Sequence, residues 1–127
     1  MRILALLLLV GACATPEAAG PGREAEALQR DLAGRTAEAA ESCVPASSSG
    51  QGLRIVDART LVYDQGRTLW VNRLDSDCPG MRSTDTLIVE VNGSQYCRGD
   101  RFRAASTGST IPGPFCVLGS FTPYRKS

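Results

Sequence analysis

Cysteine spacing constrains this chain more than any other feature. Five cysteines, at positions 13, 43, 78, 97 and 116, are spread over 127 residues, and none forms the close C-x-x-C type pair on which structural zinc sites and thiol-exchange enzymes rely. The gaps between the last four are 35, 19 and 19 residues, so these four are read as two disulfides stapling a domain too small to depend on its core alone. Four cysteines allow three pairings. The expected one joins Cys78 to Cys97 around a central hairpin and Cys43 to Cys116 across the ends of the domain.

Cys13 is the odd cysteine, and the residues before it account for it. Arg2 is a minimal basic start, and Ile3 to Val10 form an apolar run of eight, the length of a leader's hydrophobic region and too short to span a bilayer. Val10-Gly11-Ala12-Cys13 resembles the bacterial lipobox, in which the cysteine acquires lipid and becomes the new N-terminus. Ala14 stands where an aspartate would retain such a protein at the inner membrane, so the expected address is the periplasmic face of the outer membrane. The competing reading is cleavage after Ala12-Cys13-Ala14, which would release a soluble periplasmic protein beginning at Thr15. The chain is thus divided into a leader over 1–12, an anchor, linker and helical tether over 13–42, and a β domain over 43–127.

The prolines and glycines of Pro16 to Gly22 read as a flexible spacer. Arg23 to Ser42 places Ala25, Leu28, Leu32 and Ala39 near the helical period and is read as one short helix. With two leucines to bury and Gly34 in its middle, it is expected to be a solvated tether rather than part of a core. From Cys43 onward β-branched and aromatic residues appear between frequent turn signals, the pattern of an all-β unit. Ser47 to Gly52 reads as a loop. Leu53, Ile55 and Ala58 are assigned to the core, and Leu61–Asp64 and Thr68–Asn72 form a hairpin about Gln65-Gly66. A second hairpin joins Thr86–Val91 to Ser94–Cys97 through Asn92-Gly93, a pair suited to a tight turn. Arg101–Ala104 and Cys116–Phe121 supply the last strands. The fold class is therefore mainly β, a small disulfide-stapled β-barrel or coiled antiparallel sheet.

Over residues 43–123 the chain resembles a family of short exported proteobacterial proteins known only as a domain of unknown function. The resemblance is carried by Cys43-Val44-Pro45, Val71-Asn72-Arg73-Leu74, Cys78-Pro79-Gly80-Met81, Cys97-Arg98-Gly99-Asp100 and Cys116-Val117-Leu118-Gly119-Ser120-Phe121. It implies an exported, disulfide-containing β domain and brings no activity, ligand or catalytic residue.

The absence of histidine excludes the Ser-His and Cys-His nucleophile pairs and all imidazole metal sites. The carboxylates Asp75, Asp77, Asp85 and Asp100 show no spacing that marks a glycosidase pair, and no D-x-D-x-D-G calcium loop is present. No enzyme activity, metal or cofactor is expected. Residues 13–42 hold six acids and three arginines, whereas residues 43–127 hold seven acids and ten basic residues. Arg98, Arg101 and Arg103, with Arg125 and Lys126, are the candidate binding residues of a basic face. Arg98-Gly99-Asp100 is read as a turn. The leading expectation is a structural or protein-binding module, membrane-attached through its N-terminal lipid, with an unknown envelope protein as partner. An anionic envelope ligand on the basic face is the alternative, and inhibition of a hydrolase a third; nucleic acid is not expected.

Overall fold

The computed structural model describes residues 22–46 and 52–127, together with Gly11. The leader apart from Gly11, Cys13, most of the spacer and all but Gly52 of the loop assigned to Ser47–Gly52 lie outside the described residues.

The elements run α1 (Arg23–Leu32), β1 (Arg35–Ala37), β2 (Cys43–Pro45), β3 (Arg54–Asp57), β4 (Thr60–Gln65), β5 (Thr68–Arg73), β6 (Thr86–Val89), β7 (Gln95–Cys97), β8 (Arg101–Ala105), β9 (Cys116–Val117) and β10 (Phe121–Lys126). They form a five-stranded antiparallel sheet ordered β1-β10-β5-β4-β3, a three-stranded sheet ordered β6-β8-β9, and the ribbon β2-β7. The sheets do not close into a barrel, so of the two expected architectures the open antiparallel one is realised.

The β4–β5 hairpin forms as its sequence predicts, with Gln65 opposite Thr68 and Tyr63 opposite Trp70. Four consecutive residues of each strand are buried, which requires that both faces of the sheet be covered. One face carries Leu61, Tyr63 and Trp70 into the main core with Ile55, Leu74, Phe102, Leu118 and Phe121. The opposite face carries Val56, Val62, Leu69 and Val71 beneath Leu28, with Ala25, Leu32 and Tyr124 beside them.

That second cluster corrects the tether. The helix stops at Leu32, and Gly34 turns the backbone in the left-handed region. The chain then adds β1 to the edge of β10, with Arg35 opposite Lys126 and Ala37 opposite Tyr124. Residues 35–42 offer no large apolar side chain at helical spacing, whereas the open edge of β10 offers backbone partners, so strand pairing prevails over helix propensity. The Arg35 guanidinium fastens the junction by donating to the carbonyls of Asp31, Gly66, Arg67 and Tyr124 at 2.9–3.3 Å.

The disulfides also differ from expectation: Cys43 bonds Cys97, and Cys78 bonds Cys116. Strand pairing explains the first. Cys43 lies directly opposite Cys97 in the β2–β7 ribbon. The flanking bonds Arg98 N–H to Ser42 O and Ala46 N–H to Ser94 O put this pair at the closely spaced, non-hydrogen-bonded position of the ladder. The second bridge is buried, with Cys78 1 % and Cys116 9 % exposed.

The expected hairpin about Asn92-Gly93 does not pair its two arms. Asn92 bridges Gln95, which places Gly93-Ser94 at the turn with only Gly93 at positive φ. β6 then pairs with β8 and β7 with β2. Phe102 and Ala104 on β8 face the core opposite Val89 and Leu87, so burying the apolar face of β6 requires β8 as its neighbour.

Candidate functional site

The three-stranded sheet buries one face, and among the described residues no strand or helix covers the other. Alternation sends Leu87, Val89, Phe102, Ala104 and Cys116 inward and the intervening residues outward. Ile88 lies opposite Arg103, and Arg101 opposite Val117. Phe115, two residues before Val117, falls beside Arg103 on the same outer face. Ile88 is 49 %, Phe115 49 % and Val117 51 % exposed, values that set this face apart from the covered sheet behind it.

Both guanidinium groups lie against the Phe115 ring, with the Cζ atoms of Arg101 and Arg103 at 4.5 and 4.6 Å from its centroid, within the range of a cation–π contact. The Nε of Arg101 donates to one carboxylate oxygen of Glu90 at 3.1 Å and its second amino group to the other at 3.2 Å. Arg103 donates to the carbonyls of Gly113 at 2.8 Å and Pro112 at 3.4 Å. The arginines are therefore held in place before any ligand arrives. The surface they build is an aromatic and aliphatic platform edged with guanidinium groups, with one of its two positive charges already balanced by Glu90.

Of the basic residues singled out in the sequence, the structure brings only Arg101 and Arg103 together. Arg98 turns to Asp75 and the Ser120 hydroxyl, at 3.2 and 3.1 Å. Arg125 pairs with Glu38 at 2.8 Å in the five-stranded sheet, and Lys126 ends the same strand. Phe115, Ile88 and Val117 were not among the sequence candidates. Their signal was present: with Cys116 committed to a core disulfide, the period of two sends its neighbours outward.

The carboxylates are engaged separately. Asp77 pairs with Arg59 at 3.7 Å. Asp85 accepts the Arg82 N–H at 2.9 Å. Asp100 accepts the Cys97 N–H at 2.8 Å, closing the Arg98-Gly99-Asp100 turn. Among the described residues no group of three or more metal-ligating side chains occurs. A cleft of about 200 Å³ beside the Cys78–Cys116 bridge is lined by Met81, Ala104, Ile111 and Pro114 with Asp85 as its one ionisable side chain. Tyr96 has its phenol pushed above the ordinary 10.0, chiefly by burial and secondarily by Tyr63, whose ring meets it edge-on at 5.6 Å.

The segments on which the expected family resemblance rests meet one another in the fold. The Asn72 side-chain amide donates to the Gly119 carbonyl at 2.7 Å, and its oxygen accepts the Gly119 N–H at 2.8 Å. A Cβ at Gly119 would overlap the Arg73 carbonyl, so the two segments approach as closely as glycine permits. Each of the remaining quoted segments contains a disulfide cysteine. Apart from Val117 on the outer face and Cys78 to Met81 beside the cleft, these letters hold the fold together rather than line a site. Comparison with protein-family models, with curated proteins and with solved structures finds no match for the chain in any of the three.

Proposed function

We propose that the chain is a lipid-anchored, non-enzymatic binding module of the bacterial outer membrane, attached through Cys13 and facing the periplasm. Its outer β6-β8-β9 face receives a protein partner. The leader and the Val10-Gly11-Ala12-Cys13 pattern support the address, as does the resemblance of residues 43–123 to an exported family. Cysteine arithmetic supports it too, since the other four cysteines pair among themselves and leave Cys13 unmatched.

The observation that carries the binding role is the Phe115 ring held against two guanidinium groups between exposed Ile88 and Val117. Aromatic and arginine side chains fixed in advance lose little entropy on binding and are enriched at protein interfaces. A partner that matches this face offers carboxylates to the arginines and apolar side chains to Ile88, Phe115 and Val117. The anionic-ligand alternative is weaker on geometry, because Glu90 already balances the charge of Arg101 and a small anion would leave the exposed Ile88, Phe115 and Val117 uncovered.

A photo-crosslinking residue placed at Phe115 or Val117 tests this in intact cells of the producing bacterium. A discrete protein adduct from these two positions, absent when the probe replaces Arg67 in the β4–β5 turn, is the expected result. No adduct from either position would reject the docking face. Retention on anionic vesicles that falls steeply with salt and disappears in R101E/R103E would favour the alternative.

A further inference from the structure

We propose that the two disulfides reach their native pairing by isomerisation, which makes an envelope thiol–disulfide isomerase a partner in this protein's maturation. The proposal rests on the export reading above and on the connectivity.

The bridges interleave: the first cysteine of the domain bonds the third, and the second bonds the fourth. With Cys13 committed to lipid attachment, a chain exported N-terminus first presents Cys43 and Cys78 to the oxidising compartment before Cys97 arrives, so the first bond available is Cys43–Cys78. Loop closure works in the same direction. The native bonds close separations of 54 and 38 residues, while Cys78–Cys97 and Cys97–Cys116 each close only 19. Each doubling of loop length lowers closure probability about threefold. Order of arrival and chain statistics therefore both favour bonds between consecutive cysteines, none of which is native.

A consecutive bond cannot persist in the fold. Cys43 lies in the β2–β7 ribbon opposite Cys97, and Cys78 sits in the main core with Cys116. In the rearrangement an isomerase thiolate attacks Sγ of Cys43 in the Cys43–Cys78 bond, forming a mixed disulfide and releasing Cys78 as thiolate. Once β2 pairs with β7, Cys97, deprotonated to solvent, attacks the same Sγ, which makes the Cys43–Cys97 bond and returns the isomerase thiolate. No net oxidation occurs in this exchange. The Cys78 and Cys116 thiols are then joined by a dithiol oxidase, whose own disulfide takes up the two electrons and two protons. The half-buried Cys43–Cys97 bridge remains the one an external thiolate reaches.

The test exports the full chain with its own leader in two bacterial strains that differ only in a periplasmic disulfide isomerase. Thiols are trapped by acid and alkylation, and bridges are assigned by mass after digestion without reduction. Native pairing is expected to fall at least about threefold without the isomerase, the closure ratio between loops of 19 and 38 residues. Peptides bridging Cys43–Cys78 or Cys78–Cys97 should take its place. A second arm refolds the reduced full chain carrying Cys13→Ser: an oxidant alone should trap consecutive bonds, and a thiol–disulfide buffer with isomerase should convert them. Equal native pairing in both strains, or native pairing from the oxidant alone, overturns the proposal. A chain that keeps its leader and all five thiols free in both strains overturns the export reading and the proposal with it, and is recognised because no bridge of any kind forms.

Discussion

The two larger sheets solve the same problem in opposite ways. The five-stranded sheet buries both faces, one in the main core and one beneath α1, so four successive residues of β4 and of β5 are shielded from water. The three-stranded sheet shields one face and leaves Ile88, Phe115 and Val117 half exposed on the other. A short amphipathic helix was enough to cover the first, and no element among the described residues covers the second. The difference separates stability from availability: substitutions on the doubly covered sheet should unfold the protein, and those on the bare face should leave it folded while removing the proposed partner contact.

The largest effect should come from the buried bridge beside the bare sheet. Each disulfide constrains the unfolded chain by about 4 kcal/mol in the loop-entropy treatment, but replacing Cys78 and Cys116 by alanine also leaves a gap in the core. Its denaturant midpoint should fall further than that of the Cys43→Ala, Cys97→Ala pair, and a larger loss from that half-buried pair would contradict this order. Gly119→Ala comes next, at about 3 kcal/mol or more, because the clash is with backbone that cannot step aside. A thermal melt unchanged by this substitution would refute the Asn72–Gly119 clasp.

Leu28→Ala should cost about 2–3 kcal/mol by uncovering the second cluster. A free tether would show none of this, and a chemical denaturation curve decides. Phe115→Ser should cost less than about 1 kcal/mol, the scale of exposed cation–π contacts, while eliminating the crosslinked adduct formed through a probe at Val117. A stability loss as large as that of Leu28→Ala would make Phe115 a core residue and erase the contrast. The smallest effect is a pH dependence. Tyr96 ionises in the unfolded chain near 10.0 but higher in the folded one, so its contribution is intact below pH 10 and declines as pH rises through the folded value. Tyr96→Phe should flatten that alkaline slope and leave melting at pH 7 unchanged.

What could be read in the sequence depended on how far the deciding interaction reached. The β4–β5 hairpin and the alternation of Arg101-Phe102-Arg103-Ala104 are local patterns, and both appear in the fold. Asn92-Gly93 is an equally local signal, yet it lost to the burial of Leu87 and Val89 against a strand that arrives later in the chain. The helix was legible in Ala25, Leu28 and Leu32, but its docking was not, because Val56, Val62, Leu69 and Val71 become a surface only after β3, β4 and β5 align. Disulfide pairing is the extreme case, since no property of four separated cysteines says which strands will meet. At the candidate site the arginines were visible as charge. The platform they stand on was overlooked because Phe115, Ile88 and Val117 lie on two segments that only the β8 register brings together.

Interleaved bridges also decide what a protease can accomplish. A single cut anywhere between Cys43 and Cys116 leaves its two fragments joined by at least one bridge, and a cut between Cys78 and Cys97 leaves them joined by both. The exposed segment around Ile111 is the natural place for a nick. Cleavage there would leave the piece bearing β9 and β10 tied to Cys78 and packed in place. Such a nicked molecule should migrate as one species until reductant is added, so damage to this loop does not release fragments and need not end the protein's working life.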